Sequence, residues 1–132
     1  MRTKSVRTAL VLVVVSVSLV AAAPPAPLAE YSKAAFTAAQ AENRPIVVFV
    51  HASWCITCRR QQPIVQELAS DAAFKSKNLI VFVVDFADKA TLKELNVADR
   101  STLVAFHGKA ERARSSFVTD RAELRGLFSS AL

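Results

Sequence analysis

The chain has 132 residues, 52% of them hydrophobic and 21% charged, which fits one small globular domain and excludes a disordered or repetitive chain. Its two cysteines cannot staple a disulfide-dense mini-protein, and a chain of this size builds a core without staples. The net charge of +6 would suit nucleic acid, but three of the 17 basic residues (Arg2, Lys4 and Arg7) open the chain and no aromatic-interleaved basic stripe follows, so no nucleic-acid partner is expected.

After the basic head comes an apolar run, Ala9 to Val20, then Ala21, Ala22 and Ala23, then Pro24, Pro25 and Pro27. This is the tripartite pattern of a secretory signal, expected over 1–23 with cleavage between 22 and 29, followed by a Pro-rich leader over 24–30. No twin-arginine pair is present, so general secretion is expected, with a retained membrane anchor as the alternative. Export would put both cysteines where disulfides persist.

Residues 31–132 read as one α/β domain. Tyr31 to Ala41 is Ala-rich and helical, with Tyr31, Ala35 and Ala38–Ala39 at helical spacing, and it ends at Arg44-Pro45. Ile46 to Val50 is a continuous β-branched run, as in a parallel strand buried on both faces. Cys55 to Ala69 is helical, with Ile64, Val65 and Leu68 as its apolar face and a kink expected at Pro63. Leu79 to Val84 is a second buried strand, Ala90 to Leu95 a short helix, and Thr102 to Phe106 a third strand. His107-Gly108-Lys109 leads into a hairpin partner over Glu111 to Val118, and Asp120 caps a last helix whose buried face is Leu124, Leu127 and Phe128. The order α-β-α-β-α-β-β-α gives a central sheet flanked by helices, with parallel strands followed by an antiparallel hairpin.

The chemistry sits at Trp54-Cys55-Ile56-Thr57-Cys58, where a buried strand gives way to a helix. Two cysteines three apart can close a disulfide within one turn, and free N–H groups at the helix start stabilise a thiolate on the first. Cys55 is therefore the expected exposed nucleophile and Cys58 the shielded resolving thiol. Arg59 and Arg60 either add positive potential or solvate the helix. A structural zinc site wants four ligands, and the chain offers one knuckle plus His51 and His107. Redox exchange is the favoured reading, with no metal expected. A zinc or copper site built from Cys55, Cys58 and His51 stays open as an alternative. So does a redox-inert binding domain with a structural disulfide, although such a small loop would stabilise little.

The strand, the run Ala52 to Arg59 and a helix with Pro63 eight residues after Cys55 resemble the thioredoxin superfamily. The flavour is closest to the periplasmic thioredoxin-like domains of DsbD-type and cytochrome-maturation reductases. Leu95-Asn96-Val97 and Ser101 to Lys109 resemble the family's approach to its third strand and its hairpin glycine. The resemblance implies a thioredoxin-like fold and a periplasmic thiol–disulfide oxidoreductase, a reductase rather than an oxidase. It implies a redox-active Cys55–Cys58 disulfide and no cofactor. The partners it implies are disulfide-containing exported proteins and a membrane electron donor of the DsbD or CcdA type. The active-site surroundings would be Trp54, partly covering the disulfide, with Ile56, Thr57, His51, Arg59, Ser101 and Thr102. Two positions depart from the family. Ser101 stands where a cis-proline precedes the Thr of this strand, and Phe49 stands where a buried acid takes the proton of the resolving cysteine. A cis bond at Ser101 would cost roughly 2.5–4 kcal/mol, so a trans bond with a reshaped loop is expected. The lost carboxylate leaves water, His51 or a backbone-assisted route for Cys58.

Overall fold

The structure, a computed structural model, describes residues 28–132. The expected signal and most of the Pro-rich leader lie outside the described residues. Among the described residues no helix is long and apolar enough to cross a membrane.

Among the described residues ten elements follow in order: β1 (Ala29–Glu30), α1 (Lys33–Ala41), β2 (Pro45–His51), α2 (Ile56–Ser70), α3 (Ala72–Lys75), β3 (Ile80–Asp85), α4 (Lys89–Glu94), β4 (Thr102–His107), β5 (Ala110–Ser116) and α5 (Arg121–Ser130). The sheet order is β1-β3-β2-β4-β5. Strands β1 and β2 run parallel to β3, whereas β4 runs antiparallel to β2 and β5 antiparallel to β4. Two expectations change here. The last two residues of the expected leader, Ala29 and Glu30, are part of the domain's sheet, because they pair with Phe82 and Val83 as an edge strand. The third long strand is not parallel: the α4 connection returns the chain from β3 to the other side of β2 in the opposite sense.

The apolar runs form strands because both faces are covered. Val47, Phe49, Val81, Leu103 and Ala105 point to the side packed by α2, α3 and α5, where they meet Val65, Leu68, Phe74, Leu124 and Phe128. Ile46, Val48, Val50, Phe82, Val84, Val104 and Phe106 point to the side of α1 and α4, meeting Phe36, Ala39 and Leu92. With period-two side chains and helices on both faces, a strand has no polar side to show. Helix α1 turns Phe36 and Ala39 inward and leaves Ala35 and Ala38 exposed, one step away from the expected face. Pro63 lies at an exposed position inside α2, and the helix runs on past it to Ser70.

Helix ends are fixed by side-chain caps. Ser32, Asp71, Asp88 and Asp120 accept backbone N–H groups at the starts of α1, α3, α4 and α5. The chain has only two glycines, and asparagines take the left-handed positions that follow α1, α3 and α4: Asn43 (φ 54°), Asn78 (φ 60°) and Asn96 (φ 53°). Each closes a turn in which the following residue's N–H reaches back five residues, as in Arg44 to Ala39 and Val97 to Leu92. Gly108 (φ +55°) is different, since a Cβ there would collide with the Asn43 side chain. Replacing Gly108 with Ala should therefore destabilise the fold by more than about 1 kcal/mol, read as a lower chemical-denaturation midpoint. Gly126, with open space around it, should tolerate the same change.

Candidate active site

The site lies where β2 ends and α2 begins. Strand β2 stops at His51, a tight turn runs through Ser53 and Trp54, and Cys55 takes an extended conformation as the residue before the helix. Its Sγ accepts the Cys58 backbone N–H at 3.2 Å, so the sulfur does the work that Ser or Asp does at the other helix starts. Cys58, one turn on, faces inward and is fully buried, with its Sγ 3.9 Å from the Val50 carbonyl. Both cysteines are free thiols. The expectation of an exposed Cys55 is corrected: it is only 3% exposed, because its sulfur turns inward against the loop before β4.

That loop brings Ser101 to the cysteines. The Arg100–Ser101 bond is trans, as no peptide bond among the described residues is cis, and Ser101 is left-handed at φ 57°. Its backbone is held on both sides: its N–H donates to the Val50 carbonyl at 3.1 Å, and its carbonyl accepts from the Phe117 N–H at 3.0 Å and from Gln61 Nε2 at 3.1 Å. Ser101 Oγ, wholly buried, lies 3.1 Å from the sulfur of Cys55 and 3.1 Å from that of Cys58. Phe117, the residue that clips Ser101, is itself left-handed at φ 63°. Two strained non-glycine residues bonded to one another at the thiols follow the usual concentration of strain at functional sites.

The two thiols part in acidity. Burial pushes Cys55 up, but hydrogen bonds from Cys58 and Ser101, the Cys58 backbone N–H and the nearby Arg100 side chain outweigh it and lower the thiol to about 7. Burial pushes Cys58 up, and hydrogen bonding to Cys55 pushes it further the same way. One sulfur thus ionises near neutral pH while its neighbour keeps its proton.

The remaining expected residues fall into separate places. Trp54 and Ile56 stand at the rim, 64% and 65% exposed, so Trp54 flanks the pair more than it covers it. Its ring packs edge-on to Phe86 at 6.3 Å and under the Arg100 guanidinium at 5.1 Å. Thr57 is half-buried in the first turn. Arg59 and Arg60 are exposed, and the cation that acts on Cys55 is Arg100 instead. Thr102 is buried but bonded at 2.7 Å to the Asp99 carbonyl and to Ser116 Oγ, which ties the strand start rather than the sulfurs. His51 stacks edge-on against the buried Phe49 ring at 5.5 Å, and its Nε2 has no hydrogen-bond partner. Among the described residues no three His, Cys, Asp or Glu side chains gather as a metal ion needs, so His51 does not complete a set with Cys55 and Cys58. His107 is at the far end of the sheet, bonded to Asn43 and to the Ala131 carbonyl.

Sequence reasoning missed Gln61 and Arg100. Gln61 is fully buried, and its Nε2 spans the Ser101 and Val118 carbonyls at 3.1 and 2.8 Å. The signal was present: Gln61 is a polar residue three after Cys58 and four before Val65 on the apolar face of α2. Substituting Gln61 with Leu should destabilise the protein by about 1–3 kcal/mol in urea unfolding and loosen the Ser101 loop, since the Val118 carbonyl loses its partner.

The family profile described as Thioredoxin matches residues 27–128. The thiol:disulfide interchange protein DsbD of Escherichia coli K12 is 29% identical over 86 residues, covering 61% of this chain and 15% of DsbD. The chain thus spans under a sixth of the length of the curated relatives it matches. Among solved structures, Trxlp from Edwardsiella tarda is 36% identical, with a TM-score of 0.72 over 76% of this chain and 97% of that one. Thioredoxin O2 from Arabidopsis thaliana, in its oxidised state, is 26% identical with a TM-score of 0.62, over 79% of this chain and 93% of its own.

Proposed function

This chain belongs to the thioredoxin family and is a thiol–disulfide oxidoreductase with a Cys55-x-x-Cys58 motif, and on that premise we propose that it works as an exported, periplasmic reductase of protein disulfides. The observation that carries the reading is the unequal pair of adjacent buried thiols: Cys55 lowered to about 7 as helix cap, Cys58 raised beside it.

The Cys55 thiolate attacks a partner disulfide, forming a Cys55–partner bond and expelling the other partner sulfur as thiolate. Cys58 then loses its proton and attacks Cys55 Sγ, which closes the Cys55–Cys58 disulfide and releases the second partner sulfur. The partner gains the two electrons that the dithiol loses. A sulfur that is about half ionised at neutral pH both attacks readily and leaves readily. The expulsion of Cys58's proton is delayed until the mixed disulfide exists, because burial and the neighbouring Cys55 hold it on.

Substrate would arrive at the rim formed by Trp54, Ile56 and Phe117, exposed apolar groups with Arg100 stacked between the Trp54 and Phe117 rings at 5.1 and 5.7 Å. The inward turn of Cys55 means that a partner segment must seat against this rim before its sulfur reaches the thiolate. Ser101 offers no free backbone group there, since both its N–H and its carbonyl are already bonded within the chain. The direction of electron flow and the location are supported by the likeness to DsbD and by the basic, then apolar, then Ala-rich opening of the sequence. A reductase in that compartment needs re-reduction, and a membrane electron donor of the DsbD or CcdA type is the proposed source. No cofactor besides the dithiol is invoked.

Expressed in the periplasm with its own leader, Cys58→Ala should accumulate partners as dithiothreitol-sensitive adducts on Cys55, and Cys55→Ser should accumulate none. The wild type should reduce insulin, and both variants should lose that turnover. A wild type inactive on insulin, with no adducts on Cys58→Ala, would refute the reading.

A further inference from the structure

The resolving step leaves one requirement unmet by the groups usually invoked for it: a buried Cys58 must shed a proton with no carboxylate beside it. Phe49, fully buried, offers no acceptor, and His51 Nε2 makes no hydrogen bond to any group, the sulfurs included. The only side-chain oxygen bonded to both sulfurs among the described residues is Ser101 Oγ, at 3.1 Å from each. A hydroxyl has one proton to give and lone pairs to receive another. Held equidistant between two thiols, it can donate to one while accepting from the other.

We propose that Ser101 is a catalytic residue of this thiol–disulfide exchange, a hydroxyl relay that hands its hydrogen bond from the Cys55 sulfur to the Cys58 sulfur and so supports Cys58 as the attacking thiolate. The inference rests on the oxidoreductase reading above and names how its second step proceeds. In the reduced protein Ser101 O–H donates to the Cys55 thiolate and Oγ accepts the Cys58 S–H. Once Cys55 is joined to the partner, its sulfur no longer holds the Ser101 proton. Ser101 O–H then turns from Cys55 to Cys58, which gives up its proton to solvent base, and it hydrogen-bonds the Cys58 thiolate as that thiolate attacks Cys55 Sγ. The S–S bond to the partner breaks, the Cys55–Cys58 bond forms, and the products are the intramolecular disulfide and a partner thiolate that takes up a proton from solvent. Serine ends as it began, and the partner disulfide is the oxidant.

The surroundings suit a relay more than a structural hydroxyl. Three backbone bonds already fix Ser101 without any help from Oγ: N–H to Val50, and carbonyl to Phe117 and Gln61. The left-handed φ of 57° would favour glycine, yet the chain carries a side chain there, and its only polar atom faces the two sulfurs. Of the two charged residues on the same loop, Asp99 is exposed and Arg100 stacks on Trp54 and Phe117 at the rim.

The test mixes the reduced full-length mature protein with excess bis(hydroxyethyl) disulfide, quenches in acid at intervals, and separates reduced, adduct and oxidised species by mass. Wild type should pass through the Cys55 adduct transiently. Ser101→Ala should form the adduct but convert it to the oxidised form on the order of a hundredfold more slowly. Ser101→Gly, which relaxes the left-handed backbone and removes the same hydroxyl, should be as slow while being at least as stable, so the effect is not one of folding. Conversion in wild type should slow in heavy water, and that slowing should shrink in both variants, which a purely structural serine would not cause. If either variant closes the disulfide from the adduct at the wild-type rate, the relay is refuted while the oxidoreductase reading stands. A wild type that forms neither adduct nor disulfide refutes both.

Discussion

A single bond organises this site: the backbone N–H of Cys58 donated to the sulfur of Cys55. A helix start needs an acceptor for its free N–H groups, and at four other helices a Ser or Asp oxygen supplies it. Here the acceptor is a thiol, which accepts far better as a thiolate. The local demand of helix geometry thereby becomes a demand for ionisation. It also fixes the side-chain direction of Cys55 and so places its sulfur within reach of Cys58 and Ser101.

Burial works against that demand. Taking a thiol out of water raises its pKa, and this is the largest single influence on both cysteines. Cys55 overcomes it through several donors converging on one atom. Cys58 has fewer and loses to burial and to its neighbour. Each unit of separation between them is about 1.4 kcal/mol of preference for which sulfur is charged. Ser101, a member of the donor set, and Phe117, which clips it, are held in the left-handed region against their own preference, at roughly 1–3 kcal/mol each. Gln61 and the Val50 carbonyl hold Ser101 there, so a buried polar residue of α2 and the end of β2 serve the chemistry without touching it.

The fold was largely legible because apolar runs of this length have few other uses. The β-branched stretch 46–50 and the stretch 79–84 could only be strands covered on both sides, and Asp120 followed by Leu124, Leu127 and Phe128 could only start an amphipathic helix. Strand direction was not legible, since β4 carries the same composition whether it runs with β2 or against it. The cysteine pair was legible from spacing at a strand–helix junction. Its depth was not, because burial of Cys55 is decided by a loop 46 residues away. Ser101 stood out as a departure from the family pattern, but its role needed coordinates: sequence separation says nothing about a hydroxyl midway between two sulfurs. Arg100 hid behind Arg59 and Arg60, which look closer along the chain and face solvent in space.

The central claim is that one sulfur of the pair is ionised near neutrality and the other is not. It is tested most directly by titrating the reduced protein with carbon-13 labelled cysteine Cβ atoms and following both resonances by NMR. Assignment comes from Cys58→Ala. The account predicts that Cys55 titrates with a midpoint near 7 and that Cys58 titrates above the ordinary thiol value. Two resonances moving together at a midpoint of about 8.5, the value of an unperturbed thiol, would contradict it.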